Sequence, residues 1–169
     1  NDESANEKTE ELKKYNMLLG LTNVSGEGVV ITCKDGQVGN QVATDNISQY
    51  LVHDADLREI VNELANAGAE AISINDQRIV SQTSITCAGN IISINGEKVS
   101  SPFVIKAIGN QEGLYGALSR PGGYLSLMKE DVSVDIKKLS SISIKKYSGA
   151  ITQKYIKNKE SGGDWFEIW

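Results

Sequence analysis

One stretch constrains this chain more than any other: Leu51 to Arg78, reading LVHDADLREIVNELANAGAEAISINDQR. Leu57, Ile60, Val61, Leu64 and Ala67 recur at three- and four-residue spacing, which lays one apolar stripe along a helix. Arg58, Glu59, Asn62, Glu63 and Asn66 fall on the opposite face. Asp54 is placed to cap the first turn, and Asp56 sits where the positive end of the helix dipole favours an anion. Gly68 can take the left-handed conformation that ends a helix. Ala71 to Ile74 then switch the period to two, and Asn75-Asp76 supplies a turn. A helix that feeds a strand this quickly must fold back onto a sheet, so the chain is α+β.

The flanking segments extend that pattern. Residues 1–20 carry Glu7, Glu10, Glu11, Lys8, Lys13 and Lys14 at spacings suited to helical ion pairs, with a narrow seam of Leu12, Tyr15 and Leu19. This predicts a protruding helical stalk over 1–22, followed by a domain over 23–147 and a tail over 148–169. Val24 to Gly28 reads as a turn, and Val29 to Cys33 as a strand stopped by Asp35-Gly36. Residues 37–50 read as a polar loop. Arg78 to Cys87 reads as a long polar strand, turned by Ala88-Gly89-Asn90 into Ile91–Ile94 and then by Asn95-Gly96. Val99 to Ile108 is the next strand, with Pro102 marking an edge or bulge. Asn110 caps a short helix bearing Leu114, Ala117 and Leu118. Tyr124 to Met128, Val132, Val134 and Ile136 read as closing strands, extended by Ile142 and Ile144 after a break at Ser140-Ser141. Helices spaced among hairpin-linked strands predict an antiparallel or mixed sheet with helices on one face, in a ferredoxin-like arrangement.

Chemistry-bearing motifs are sparse. Gly26-x-Gly28 and Gly36-x-x-Gly39 are not a dinucleotide fingerprint, which needs three glycines opening a helix directly after a strand. Cys33, Cys87 and the single His53 are too few and too widely spaced for a zinc site, so neither metal nor cofactor is expected. Two buried free thiols are the default reading, and a ferredoxin-like sheet would make their strands neighbours. Outside Lys137–Lys159 the chain carries 10 basic against 22 acidic residues, and so acidic a body disfavours nucleic acid. Seven lysines between Lys137 and Lys159, without one acidic residue, read either as a contact for a polyanion or as a solvated edge that resists aggregation. No run approaches the roughly 20 apolar residues needed to cross a bilayer. The chain opens at Asn1 rather than Met, which reads as a trimmed or processed form and leaves room for an upstream anchor.

Taken together, Val52-His53-Asp54-Ala55-Asp56-Leu57, Val61-Asn62-Glu63-Leu64 and Ala67 through Arg78 resemble bacterial domain-of-unknown-function family 881, the YlxW/YlxX-like proteins of "division initiation" type. The resemblance continues through Thr83, Ile85 to Gly89, Ile94-Asn95-Gly96, Pro102 to Ile105 and Ala107-Ile108-Gly109, and covers about Leu12 to Tyr147. Asn110 stands where the family usually has aspartate, and the aromatic tail after Tyr147 lies outside the pattern. The resemblance implies a single-pass cell-membrane protein with a coiled-coil-like stalk and this domain on the extracytoplasmic side. It also implies an association with envelope or division proteins, without an established activity.

The polar residues of the matched run are the candidate site. His53, Asp54, Asn75, Gln77, Arg78 and Thr83 would form a ligand groove if the helix start and the far strand end converge, with Arg78 clamping a carboxylate or phosphate. Each also has a structural reading, as cap, turn residue or internal partner. Asp56 with His53 as an acid–base pair lacks a visible nucleophile, so no catalytic residue is assigned. The leading functional reading is an interaction or scaffold module, with possible homodimerisation through the N-terminal helix. The alternative is a sensor or carrier domain for a small anionic ligand.

Overall fold

The computed structural model describes residues 2–37, 44–89 and 91–157. Gly39, Asn90 and Lys159, named above, and the tail from residue 158 onward, which holds Trp165, Phe166 and Trp169, lie outside them. The chain runs α1 (Asp2–Leu18), β1 (Val24–Lys34), a 3₁₀ helix (Thr44–Tyr50), α2 (Asp54–Asn66), β2 (Ala71–Ile74) and β3 (Gln77–Arg78). It continues through β4 (Ile85–Ala88), β5 (Ile91–Ile94), β6 (Glu97–Val99), β7 (Phe103–Ile108), α3 (Gln111–Leu118), α4 (Tyr124–Met128) and β8 (Ser133–Ile144).

Five strands form an antiparallel sheet in the order β3-β2-β7-β1-β8, and β4-β5-β6 form a second, three-stranded sheet. Without the β3–β6 insertion, the core is β1-α2-β2-β7-α3-β8 with spatial order β2-β7-β1-β8. That is the split βαβ, ferredoxin-like arrangement expected from the sequence. Leu57, Ile60 and Leu64 of α2 and Leu114 and Leu118 of α3 are buried against Val29, Ile31, Cys33, Ile74, Phe103, Ile105 and Ala107. The helices α2 and α3 therefore cover one face. The other face carries a smaller cluster of Ala71, Ile108, Ile142 and Ile144.

Several local expectations are corrected by long-range contacts. Val24–Gly28 is strand rather than turn, because Gly28 is needed for close approach: a Cβ there would stand 1.9 Å from the Ala107 carbonyl oxygen. The break at Ser140-Ser141 is a bulge inside one continuous β8, opposite the register shift between Gly26 and Gly28. One extra residue turns the strand over, so Val134 and Ile136 face the helices while Ile142 and Ile144, of the same parity, face away.

The long polar strand from Arg78 to Cys87 does not form. The Val80 N–H donates to Thr83 Oγ1 (2.8 Å) and the Thr83 N–H to the Val80 carbonyl (3.0 Å), a closed turn that replaces ladder pairing. Val99–Ile108 divides at Ser100–Pro102 into β6 and β7, since Pro102 has no N–H to give a ladder. Tyr124–Met128 is helical, not extended: Leu125 and Met128, three apart, reach the large core, and the Gly123 carbonyl accepts from the Ser126 and Leu127 N–H groups. Part of the loop expected over 37–50 is the 3₁₀ helix.

The cysteines also depart from expectation. Cys33 is buried on β1, whereas Cys87 is exposed on β4 in the second sheet. Their strands are not neighbours, because β4 belongs to the insertion between β2 and β7. Both are free thiols. Burial, helped by the negative charge of Asp56, pushes the Cys33 thiol up to about 12.

Candidate functional site

The polar residues of the long run fall into separate groups. The first surrounds the start of α2. The cap is His53 rather than Asp54: the His53 backbone N–H donates to Asp56 Oδ2 at 2.6 Å, the carboxylate half of a capping box. The Tyr124 hydroxyl donates to Asp56 Oδ1 at 2.5 Å. Burial and then the Asp56 carboxylate hold the Tyr124 hydroxyl well above the usual phenol range. Asp54 has a different task. Its Oδ2 accepts from Arg58 Nη1 (2.6 Å) and from the Cys87 N–H (3.1 Å), and Arg58 Nη1 also donates to the Ile85 carbonyl (2.7 Å). The first turn of α2 thereby holds the second sheet. Arg58, foremost, keeps the Asp54 carboxyl lowered to about 2.

His53 Nε2 lies 2.8 Å from the Ser48 carbonyl oxygen and 3.2 Å from Ser48 Oγ. A nitrogen that donates to a carbonyl carries its proton and cannot at once take one from the hydroxyl. The pair is thus not an activated nucleophile, which also requires the base to be oriented by a third group. Two shallow grooves flank His53. One, of about 230 Å³, is lined by Asp56, Tyr124, Met128 and Asp131; the other, of about 280 Å³, by Asp35, Ser48, Cys87, Ser101 and Phe103.

The second group lies at the β2–β3 hairpin. Asn75 (φ 45°) and Asp76 (φ 64°) form a two-residue turn with both central residues left-handed, which suits the twist of a hairpin. The Asn75 side chain bridges to β7, accepting from the Val104 N–H at 2.7 Å and donating to the Pro102 carbonyl at 3.3 Å. Gln77 is half-buried on β3, paired with Ile74. Lys145 holds the Asp76 carboxyl below its usual range, with a 2.7 Å ion pair.

The third group is set by Arg78, offered above as the ligand clamp at the far strand end and only 4% exposed. Its Nη1 donates to the Thr22 carbonyl at 3.3 Å, and its own carbonyl accepts from Asn95 Nδ2 at 3.0 Å. Thr83 closes the adjoining turn. Arg78 opens onto a groove of about 290 Å³ with Leu18, Leu19, Glu70 and Ile79, on which neither His53 nor Asp54 borders. The helix start and the arginine therefore do not share one groove. Sequence reasoning passed over Tyr124, Cys87 and Ser48 as site neighbours. Only the paired Asp54 and Asp56 hinted that this helix start would collect partners. No group of three or more His, Cys, Asp or Glu residues suited to a metal ion occurs among the described residues.

Residues 11–157 match the model of a family described as "Bacterial protein of unknown function (DUF881)". The chain belongs to this family. The DUF881 match carries the resemblance past Tyr147 into the tail. The UPF0749 protein YlxW of Bacillus subtilis is 32% identical over 137 residues, covering 80% of this chain and 58% of that protein. The UPF0749 protein Rv1823 of Mycobacterium tuberculosis is 31% identical over 118 residues, covering 67% of this chain and 38% of that protein. The chain thus spans between about two fifths and three fifths of these relatives. A crystal structure of an uncharacterized conserved protein from Mycobacterium tuberculosis matches with a TM-score of 0.70 at 24% identity, covering 88% of this chain and 99% of that one. The α+β fold is shared.

Proposed function

We propose that this chain is the extracytoplasmic interaction module of a membrane-anchored bacterial envelope protein associated with cell division, acting by binding rather than catalysis. The observation that carries the reading is a contrast in satisfaction. The polar groups at the start of α2 and in the β2–β3 turn are spent on internal hydrogen bonds, whereas α1 presents Leu12, Tyr15 and Leu18, three residues apart along one side, to solvent. An exposed apolar strip on a charged helix supports a partner or a second copy of the chain. No helix among the described residues is long and apolar enough to cross a membrane.

Two measurements on the full-length protein in cells test this. A photo-crosslinking side chain at Leu12 should capture the protein itself or an envelope protein, and one at the exposed Glu59 of α2 should not. Equal capture from both positions would remove the helix from the argument. A membrane-impermeant maleimide should label the exposed Cys87 in intact cells and leave buried Cys33 unlabelled. Labelling of Cys87 only after lysis would place the domain on the other side of the membrane.

A further inference from the structure

Arg78 brings a permanent positive charge into the protein without a counter-charge. Among the described residues no carboxylate reaches ion-pair distance of it, although every other arginine has such a partner. A guanidinium carries five N–H donors, and the one hydrogen bond here is a 3.3 Å contact to the Thr22 carbonyl, long for a charged donor. Buried charges are ordinarily paired because taking one out of water is costly. The remaining guanidinium nitrogens are not sealed in the interior: the fully buried, unpartnered side-chain atoms of the described residues are Ser73 Oγ and Asn95 Oδ1. No Arg78 nitrogen is among these, and Arg78 lines the groove of about 290 Å³.

That groove has a definite chemistry. Leu18 and Leu19 from the end of α1, with Ile72, Ile79 and Val80, make apolar walls, and Ser81 adds a hydroxyl. Gly20 (φ 78°) lies over the arginine stem, where a Cβ would stand 3.5 Å from Arg78 Cγ and Nε and 2.8 Å from Val80 Cγ1. The exposed Glu70 is the one carboxylate lining the groove. We infer that the groove is a binding site for a small monocarboxylic acid with an apolar body, its carboxylate on Arg78 and its body against Leu18, Leu19 and Ile79. A single cation with an acidic neighbour suits one negative charge better than the two of a phosphate. The volume lies at the small end of ligand sites, which suits a compact molecule. This site does not rest on membrane anchoring, and it shares only Leu18 with the exposed residues of α1 offered above to a partner.

The full chain at pH 7 is titrated separately with hexanoate, 1-hexanol and inorganic phosphate, following the Arg78 Nε–Hε resonance and the thermal midpoint. Hexanoate should shift the resonance and raise the midpoint, and the other two should do neither. R78M keeps the stem and removes the charge; it should fold and bind hexanoate at least about tenfold more weakly. A hexanol response equal to that of hexanoate, full binding by R78M, or an equal phosphate response would each overturn the site. An apolar peptide with a free C-terminal carboxylate that binds more than about tenfold tighter than hexanoate would overturn the small-acid assignment. Should R78M fail to fold, the Nε–Hε response of the unaltered chain decides alone.

Discussion

Asp54 shows how one side chain can have a large structural duty without a chemical one. It joins two elements, accepting from Arg58 on its own helix and from the Cys87 backbone on β4, while its Oδ1 takes the Ala55 N–H. Its folded-state pKa, lowered to about 2 chiefly by Arg58, lies below the unfolded value of about 3.9. Its contribution to stability is therefore complete above about pH 4 and is lost as pH falls through about 2. Asp54→Asn should lower stability at pH 7 and lose most of that difference on acidification, as read from denaturant midpoints along a pH series. A difference that stays constant down to pH 2 would show that hydrogen-bond geometry, not charge, is what Asp54 supplies. Asp56, two residues away, has the opposite company: a backbone N–H and a phenol, both neutral donors.

At the scale of elements, α2 divides its faces as its sequence period requires. Leu57, Ile60 and Leu64 are fully buried, whereas Glu63 makes a 2.6 Å pair with Arg120 that leaves the arginine half exposed. Leu64→Ala should cost about 2–5 kcal/mol, the range for a buried leucine that leaves a cavity. Glu63→Ala should cost about 0–1 kcal/mol, because a pair at the surface is screened and carries an entropic cost. Equal costs in chemical denaturation would contradict this division of faces. The strand β8 makes a complementary point. It is the outer strand of the main sheet, and Lys137 and Lys138 sit on it, so the lysine-rich segment begins as a charged sheet edge. Lys138 is held by Glu112 at 2.8 Å and lies 5.2 Å from the Tyr115 ring centre, which ties that edge to α3.

For the whole molecule, the domain and α1 are unequal partners. The described side chains of α1 are exposed along its length, and an isolated helix of this kind is marginal in water. The junction is firmer: the Tyr147 N–H donates to the Gly20 carbonyl at 2.8 Å, tying the end of the last strand to the start of the domain. A chain beginning at Leu19 should keep its denaturation midpoint and lose self-association, measured as molar mass by light scattering across a concentration series. If the shortened chain keeps the mass of the longer one, association does not run through α1.

The features legible in the sequence are those whose cause is local. The stripe of α2, its stop at Gly68, the strand after it and the Asn75-Asp76 and Asn95-Gly96 turns each follow from the period or backbone freedom of a few neighbouring residues. The cap at Asn110 is equally local, its Oδ1 accepting from the Gly113 N–H at 2.8 Å. The order of elements then sufficed for the ferredoxin-like sheet. Tertiary structure decided what depends on groups far along the chain. Gly28 is in a strand because Ala107 lies against it, Tyr124–Met128 is a helix because Leu125 and Met128 must both reach the core, and Cys87 is exposed because an inserted sheet carries it. Arg78 is the clearest case: at the head of a stretch that reads as one long polar strand it carries no local sign of burial, and only the packing of the α1–β1 junction over it makes it a buried cation.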